Sequence, residues 1–202
     1  MSTVRLRVVI VMLVTSVAIN IALAYKLSRF DHLVSATREQ RLQPGTSVPP
    51  LKGVDLRGQV QTLVYNAENK PAILYVFTPT CIWCKRNLDN LKTLVAHESG
   101  EYRFIGVSLA KEGLPEYVVA QGLTMPVYTG LSAEILRAYK MGGTPQTIVV
   151  SPEGRVVQNW MGAYVGDQKS QVEAFFHISL PGLRESPKAE TSEAIPVTQG
   201  AN

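Results

Sequence analysis

The sequence predicts an α/β domain, with helices on both faces of one sheet. A continuous apolar run at 73–77 and a second run at 104–109, which also contains Gly106 and Ser108, are predicted to be strands that are buried on both faces. Segments with helical apolar spacing alternate with these runs along the chain. The strong turn sequence at 151–154 (Ser-Pro-Glu-Gly) separates two further strand candidates, so a hairpin is expected to close the sheet.

The first half of the domain is expected to form two strands and a helix. Residues 60–65 make one strand candidate, and 73–77 make the first buried strand. A short loop leads to Cys81, where a helix begins. Its apolar positions fall on one stripe, which comprises Cys84, Leu88, Leu91 and Val95.

The second half begins with the buried strand at 104–109. Pro115 in a first turn predicts a helix at 112–121, and Ser132 as a cap predicts another at 132–139. The remaining predicted elements are hairpin strands at 146–150 and 155–160 and a last helix capped by Asp167.

The composition is globular and allows one domain of ordinary size with extensions, or two small ones. Of the 202 residues, 46% are hydrophobic and 18% are charged, against about 25% charged in typical soluble domains. This excludes a disordered chain and a collagen. Two cysteines are too few for a disulfide-stapled miniprotein or a four-thiolate metal site.

The net charge of +4 lies at the N-terminal end. Residues 1–43 carry six Lys and Arg against two acidic residues, whereas 44–183 carry twelve basic and eleven acidic residues. The globular part therefore has no basic stripe that could follow phosphates, and we expect no nucleic-acid partner.

Residues 8–25 form an 18-residue uncharged run with basic residues on both sides. The run is just long enough for a transmembrane anchor in contact with the lipid bilayer, with 1–7 as a cytoplasmic tail. A cleaved signal peptide with Ala22-Leu23-Ala24 at its end is the second interpretation, and a buried helix is the third. The first two place the remaining chain on the extracytoplasmic side if the N-terminus stays inside.

Composition also divides the rest of the chain. Apolar residues at steps of three and four predict a helical stalk over 26–43, and the Pro-rich stretch that follows marks a boundary. The domain then covers 44–183. Residues 184–202 have few large apolar side chains and are predicted to be a disordered tail.

The two cysteines stand at Cys81 and Cys84, a Cys-x-x-Cys pair at a predicted strand-to-helix junction. A metal site, a structural disulfide and a pair of inert thiols are alternatives. Redox exchange is favoured, because a cysteine at a helix N-terminus is stabilised as a thiolate. Cys81 would be the exposed nucleophile, and Cys84 would resolve the mixed disulfide.

A second feature is the sequence Gly-Gly-Thr-Pro at 142–145, directly before a predicted strand. A trans bond is the default before proline. A cis bond between Thr144 and Pro145 could place a backbone edge beside the cysteines, where an extended substrate could pair with it.

Together, these features resemble the thioredoxin superfamily, and most closely its membrane-tethered TlpA/ResA-like branch. The resemblance covers 44–183 and implies a thioredoxin-like fold, with a central mixed sheet and helices on both faces. It implies Cys81 as attacking thiol, Cys84 as resolving thiol, and Thr144 and Pro145 as a cis-proline loop that docks substrate. Trp83 between the cysteines is assigned to the substrate groove, with packing as its alternative. The redox-active disulfide itself is the expected centre, without a cofactor or metal.

The chain departs from this pattern at three positions, one of which is Trp83, where reducing members commonly carry proline. Tyr75 stands where thioredoxins usually have a buried acid, and Asn87 stands where ResA-like proteins often carry Glu, so no carboxylate proton acceptor for Cys84 transfers. Thr78 and Cys81 supply a peroxiredoxin-like Thr-x-x-Cys fragment, but Leu74 stands where peroxiredoxins have proline.

The function expected from this resemblance is thiol-disulfide exchange with protein substrates. A reductase is favoured, in cytochrome c maturation or general periplasmic thiol reduction, with a membrane electron-transfer partner. The chain would sit in a bacterial cytoplasmic membrane with its domain facing the periplasm. A redox-sensing or client-binding module with little turnover and a peroxidase are the alternatives.

Overall fold

The computed structural model of the chain describes residues 7, 10–26 and 41–185. Residues 10–26 form helix α1, whose large apolar side chains are exposed. The predicted transmembrane helix over 8–25 is not confirmed, because no helix in these described ranges is both long enough and apolar enough to cross a membrane. Most of the predicted stalk and of the predicted tail lies outside the described residues.

A five-stranded mixed sheet forms the centre of the domain, as the sequence predicts. Strand β3 (Ala72–Phe77) is the middle strand, parallel to β4 (Arg103–Ser108), which in turn is parallel to the two-residue β5 (Val127–Tyr128). On its other side β3 is antiparallel to β6 (Gln146–Val150), and β7 (Val156–Met161) completes the hairpin. The thioredoxin-like α/β fold class is thus confirmed.

All six side chains of β3 are buried, and alternate ones belong to two core layers. We name these the cysteine layer and the hairpin layer. The cysteine layer contains Cys84 together with Ile73, Tyr75 and Phe77 from β3. The hairpin layer contains Ala72, Leu74 and Val76. The middle strand therefore separates the disulfide from the opposite half of the core.

Within residues 41–185, five α-helices follow α1. The cysteine layer takes buried residues from α3 (Leu88–Glu98), α4 (Leu114–Gln121) and α6 (Gly166–Phe176). The hairpin layer takes Ile135 from α5 (Ala133–Ala138). Helix α2 (Ile82–Arg86) follows Cys81 and carries Cys84 into the cysteine layer.

Two predictions about helix ends have different outcomes. The Ser132 hydroxyl accepts a hydrogen bond from the Ile135 N–H, so it caps α5 as predicted. Asp167 does not cap α6. The helix begins one residue earlier, at Gly166, and Val165 occupies the cap position without a side-chain hydrogen bond. Asp167 instead lies in the first turn, where its charge suits the helix dipole.

A small hairpin covers the hairpin layer. It pairs β1 (Leu51–Val54) with β2 (Val60–Leu63), and the backbone of Val54 also bonds to Thr129 next to β5. Strand β2 ends before the predicted 65, because Tyr65 begins a 3-10 turn. Leu42 is already buried in this layer, so the packed chain starts ahead of the Pro-rich stretch.

Candidate active site

Cys81 and Cys84 are joined by a disulfide at the start of α2. Cys81 is the extended N-cap residue of the helix, and its Sγ accepts the backbone N–H of Cys84 at 3.0 Å. Cys81 is half-buried, whereas Cys84 is fully buried. The two sulfurs therefore differ in access, and Cys81 is the one that an outside thiol can approach.

The local sequence explains this geometry. Strand β3 ends at Phe77, and the turn that follows brings the Cys81 N–H to the Thr78 carbonyl at 3.1 Å. The first turn of α2 holds no acidic residue, while Lys85 and Arg86 lie in its last turn. When the disulfide opens, the Cys84 N–H remains a donor for a Cys81 thiolate, and no carboxylate in that turn opposes the charge.

The peptide bond between Thr144 and Pro145 is cis, as the resemblance implies. Pro145 comes directly before β6, whose first residue, Gln146, pairs with Val76 near the end of β3. Because the loop to Cys81 leaves from that same end of β3, the cis-proline loop and the disulfide lie at one edge of the sheet. The Pro145 carbonyl accepts the Gly162 N–H at 2.7 Å, which fastens the loop to the end of β7.

A groove of about 430 Å³ brings the other predicted site residues together. Trp83, Thr144 and Pro145 all line it, along with Asp167 at the start of α6. The Trp83 side chain is half exposed, and the Arg86 guanidinium lies 4.9 Å from the centre of its ring. A larger cavity of about 800 Å³ is lined by none of these residues, and neither cavity has a cysteine in its lining.

Four buried polar side chains form a hydrogen-bonded group that includes Tyr164 of the cysteine layer, and sequence reasoning did not identify them as a group. The Asn87 Oδ1 accepts the Asn90 side-chain amide at 2.9 Å and the Tyr164 backbone N–H at 3.0 Å. The Tyr164 hydroxyl in turn bonds the Thr147 hydroxyl at 2.6 Å. Burial raises the pKa of the Tyr164 phenol, so it stays neutral. The sequence shows two of these residues on the helix that carries Cys84, but it carries no signal that they are buried.

Metal ligands do not assemble at this edge. Within the described ranges, no three side chains of His, Cys, Asp or Glu come together in an arrangement that could hold a metal ion. The chemistry that the arrangement supports is the exchange of one sulfur partner for another.

Comparison with known protein families shows which family the chain belongs to. Residues 44–159, more than half of the chain, match the AhpC/TSA family. The chain belongs to the AhpC/TSA family. The match covers β1 to most of β7 and includes both cysteines and the cis-proline loop. A comparison with curated proteins gave no match.

Solved structures share the fold of this AhpC/TSA member. The thioredoxin domain of a thiol-disulfide oxidoreductase from Bacteroides vulgatus is 24% identical, with a TM-score of 0.54, and the match covers 67% of this chain and 99% of that one. A thiol:disulfide interchange protein from Bacteroides sp. is also 24% identical, with a TM-score of 0.52 and coverage of 67% and 91%.

A third similar structure is a secreted disulfide oxidoreductase from Mycobacterium tuberculosis. It is 16% identical, with a TM-score of 0.52 and coverage of 62% and 93%. At these identities the likeness establishes the fold. With the family match, it confirms the predicted place in the thioredoxin superfamily, among proteins like TlpA and ResA.

Proposed function

We propose that this protein is a thiol-disulfide oxidoreductase that exchanges disulfides with protein substrates through Cys81 and Cys84. The observation that carries the proposal is the disulfide at the start of α2, with one accessible and one shielded sulfur beside a groove. A structural disulfide does not need this difference in access, and one that closes so short a loop adds little stability.

The exchange proceeds in two displacements. The Cys81 thiolate attacks one sulfur of the client disulfide, and the other client sulfur leaves as a thiolate and takes up a proton. The Cys84 thiolate then attacks Cys81 Sγ, which breaks the mixed disulfide and releases the second client sulfur, which is protonated in turn. The client gains two electrons and two protons, and the protein is left with its own disulfide.

The groove holds the client during these steps. Backbone groups of Thr144 and Pro145 pair with an extended client segment, and Trp83 covers an apolar side chain next to the client cysteine. The groove is open at the surface, which suits a protein chain better than an enclosed small molecule.

Two single-cysteine variants test the roles of the sulfurs. Cys84→Ser is expected to accumulate mixed disulfides with client proteins, because the second displacement is lost. Cys81→Ser is expected to abolish exchange, although it makes the same one-atom change, from sulfur to oxygen, at the other cysteine. Non-reducing gels and mass spectrometry of trapped species provide the measurement. Full turnover by Cys81→Ser would overturn the assignment.

Within this class we propose a reductase, which a membrane electron-transfer partner returns to the dithiol state. Cysteines of cytochrome c under maturation and misoxidised periplasmic thiols are the proposed clients. The reduction potential of the Cys81–Cys84 couple tests the direction. A value near or below about −250 mV supports a reductase, and a value of about −120 to −180 mV indicates an oxidant or isomerase.

We also propose an extracytoplasmic location with an N-terminal membrane tether. The apolar run at 8–25 with basic flanks supports it, as do the exposed apolar side chains of α1. One similar structure is that of a secreted protein. Carbonate extraction and protease protection of the full chain in bacterial membranes test the tether and the side. Recovery of the chain in the cytoplasmic soluble fraction would overturn both.

A peroxidase remains the second candidate, because the family match accompanies a Thr-x-x-Cys fragment at Thr78 to Cys81. The structure places Cys81 in a disulfide three residues from its partner and beside the open groove, which favours exchange with proteins. Peroxide consumption by the reduced protein discriminates between the two. A client-binding module would instead show stoichiometric exchange without turnover under excess dithiol.

A further inference from the structure

The groove that Trp83 lines carries a single charge. Of the residues in its lining, only Asp167 has a charged side chain. Much of the remaining lining is apolar, and two of these side chains, Trp83 and Val165, are 51% and 49% exposed. An apolar surface with one carboxylate is complementary to a partner that presents an apolar group and a positive charge together.

The Asp167 carboxylate is available to such a partner. In the part of the chain that the structure describes, none of the ion pairs includes Asp167, and its carboxylate accepts no hydrogen bond. The nearest cation along the sequence, Lys169, is engaged by Glu173 at 2.8 Å. Asp167 is also exposed, so a client side chain in the groove can reach it.

The position of Asp167 in the first turn of α6 does not by itself indicate a site. Acidic residues occupy the first turns of α3, α4 and α5 as well, namely Asp89, Glu116 and Glu134. The helix dipole favours an acid at each of these positions. None of these three residues lines the groove, however, and Asp89 is already paired with Arg184. Asp167 therefore differs from them in facing the surface that is proposed to hold the client.

Hydrogen bonds fix the start of α6 relative to the cis-proline loop. Gln168 follows Asp167, and its Nε2 donates to the Gly162 carbonyl at 2.9 Å. The Gly162 N–H in turn donates to the Pro145 carbonyl at 2.7 Å. Two hydrogen bonds thus connect the residue next to Asp167 with the loop whose backbone is proposed to pair with the client. A charge held in this way can discriminate between client side chains, because little order is lost when it binds.

The neighbouring cations lie outside the lining of the groove. Lys85 and Arg86 are in the last turn of α2, and neither lines the groove. Arg86 is engaged twice, since its guanidinium stacks on Trp83 and its Nε donates to the Arg184 carbonyl at 3.1 Å. The charge that a client side chain meets inside the groove is therefore negative.

We propose that Asp167 is a specificity-determining residue that binds a lysine or arginine side chain next to the client cysteine. This inference rests on the proposed function and names its substrate class, the disulfides of basic, extended polypeptide segments. While Cys81 attacks the client disulfide, Trp83 contacts an apolar client side chain and Asp167 pairs with the basic one. Asp167 contributes to binding alone and transfers no proton or electron.

The reduction of three model peptides by the reduced full chain tests this role. The peptides differ only in the residues on both sides of one cysteine, which are Lys, Gln or Glu, and the cysteine is carried as a mixed disulfide with thionitrobenzoate. Cys81 attacks the peptide sulfur and the coloured thionitrobenzoate leaves; Cys84 then attacks Cys81 and releases the peptide thiol, which takes up a proton. Each rate constant is divided by that of dithiothreitol with the same peptide, which removes differences in the reactivity of the peptides themselves.

The Lys peptide is expected to react about fivefold faster than the Glu peptide at low salt, the effect of one exposed ion pair. The ratio should fall towards one at about 0.5 M salt, because screening weakens that pair. Asp167→Asn keeps the size of the side chain and removes its charge, so the ratio should be one or below at any salt concentration. Glu134→Gln is the matched control. It removes an acid from the first turn of another helix, away from the groove, and is expected to retain the fivefold ratio.

A ratio near one in the unaltered protein, or a ratio that survives in Asp167→Asn, would refute the role of Asp167. A faster reaction of the Glu peptide would also refute it, because the cations Lys85 and Arg86 would then dominate recognition. If Asp167→Asn does not fold, the ratio in the unaltered protein and its salt dependence decide. Failure to reduce any of the three peptides would count against the proposed function itself, whereas equal reduction of all three would remove only the charge preference.

Discussion

Trp83 is a large aromatic side chain that stands half exposed beside the disulfide. The Arg86 guanidinium stacks on its ring, and the Arg86 Nε donates to the Arg184 carbonyl at 3.1 Å. The indole is thus held in one orientation by a neighbour that is itself anchored. An ordered, exposed aromatic ring at a groove is suited to covering part of a partner with little loss of conformational entropy.

Trp83→Ala is therefore expected to weaken client capture more than stability. We expect a roughly tenfold loss of kcat/KM with a protein disulfide as substrate. The loss should come from a higher KM with an unchanged kcat, because contact area for the substrate is lost and the two sulfurs are unchanged. The rate with a small dithiol should change little. An equal loss with both substrates would indicate that Trp83 acts on the disulfide itself.

Gly106 of β4 lies opposite Val127 of β5. A Cβ at this position would lie 3.0 Å from a Val127 methyl group and 3.3 Å from the Phe77 ring. Both neighbours belong to the tightly packed cysteine layer and have little room to move.

Gly106→Ala is expected to lower the free energy of unfolding by about 1–3 kcal/mol through overpacking. Urea denaturation provides the measurement. Gly100→Ala is the matched control, because a Cβ there meets nothing within 4 Å. Equal urea denaturation midpoints for Gly106→Ala and Gly100→Ala would contradict this prediction, because they would show that the core accommodates the added methyl group without loss of stability.

At the level of elements, a hydrogen-bond chain joins three segments of the hairpin layer. The Tyr65 hydroxyl from the 3-10 turn bonds the Tyr139 hydroxyl at the end of α5, and Tyr139 donates to the Pro49 carbonyl ahead of β1. Burial raises the pKa of Tyr139 to about 12 and raises that of Tyr65 further. Both tyrosines therefore stay protonated in the folded state at pH values where they ionise in the unfolded chain.

Stability should consequently fall at alkaline pH. Above pH 10, where an ordinary tyrosine ionises, the unfolded state loses protons that the folded state keeps. Each of these two tyrosines then removes up to about 1.4 kcal/mol per pH unit until its folded-state pKa is reached. Urea denaturation between pH 9 and 11.5 measures the decline. Tyr139→Phe should give a shallower decline, and an identical slope would refute the assignment.

The sequence predicts best those elements whose pattern reflects burial on both faces. The runs at 73–77 and 104–109 lie within one residue of β3 and β4, because a strand that is buried on both faces carries mostly apolar side chains. Strands β1 and β5 have no such pattern. Both are short: β1 pairs with β2, β5 pairs with β4, and Val54 and Thr129 exchange backbone hydrogen bonds that join distant parts of the chain.

The same limit applies to the helix predicted from Cys81. Its apolar stripe continues without interruption, but the structure has two helices, α2 and α3, which meet at Asn87. Asn87 ends one helix and begins the next where its side-chain oxygen accepts the backbone N–H of Tyr164, 77 residues later in the chain. A periodic pattern cannot reveal a break that depends on a distant partner.

The site was predicted to a similar extent. A spacing motif singled out the cysteines, and the Gly-Gly-Thr-Pro sequence together with the resemblance singled out Thr144 and Pro145. Trp83 was assigned to the groove from its place between the cysteines, and the structure places Trp83, Thr144 and Pro145 around one groove. Asn90, Thr147 and Tyr164 were not singled out. The sequence does not distinguish a buried asparagine or threonine from an exposed one, because both residue types occur in either environment.

At the scale of the whole molecule, the last described segment, around residue 184, returns to the helix that carries Cys84. The Arg184 N–H donates to the Arg86 carbonyl at 2.8 Å, and the Arg184 guanidinium pairs with Asp89. The Gly182 N–H donates to the Asn90 side chain at 2.8 Å. Hydrogen bonding from Arg184 also holds the pKa of Asp89 below its usual value. The last described segment is therefore a strap across α2 and α3.

Arg184→Ala is expected to lower the free energy of unfolding by about 0.5–1 kcal/mol at pH 7, a modest value because the pair is partly exposed to solvent. The lowered pKa of Asp89 means that this contribution is present above the usual pKa and is lost as the pH falls through the folded-state value. The difference in the free energy of unfolding between Arg184→Ala and the parent protein should therefore become smaller at acidic pH. Urea denaturation at pH 7 and pH 3 measures it.

Arg57→Ala serves as the matched control, since its pair with Asp55 is longer, at 3.6 Å, and Arg57 is largely exposed. We expect an unchanged denaturation midpoint for this variant. A loss in Arg184→Ala that stays constant from pH 7 to pH 3 would mean that the strap acts through packing rather than through charge.

The sequence contains two cysteines, and both are engaged in one disulfide. A chain with a single couple has no second thiol pair to which it could relay electrons internally. In the proposed function, the client and the electron donor therefore react with Cys81 in turn, at the same groove. Steady-state turnover should follow a double-displacement (ping-pong) scheme, with parallel lines in double-reciprocal plots. An excess of either reactant should inhibit the other, so the ratio of donor to client would set the flux.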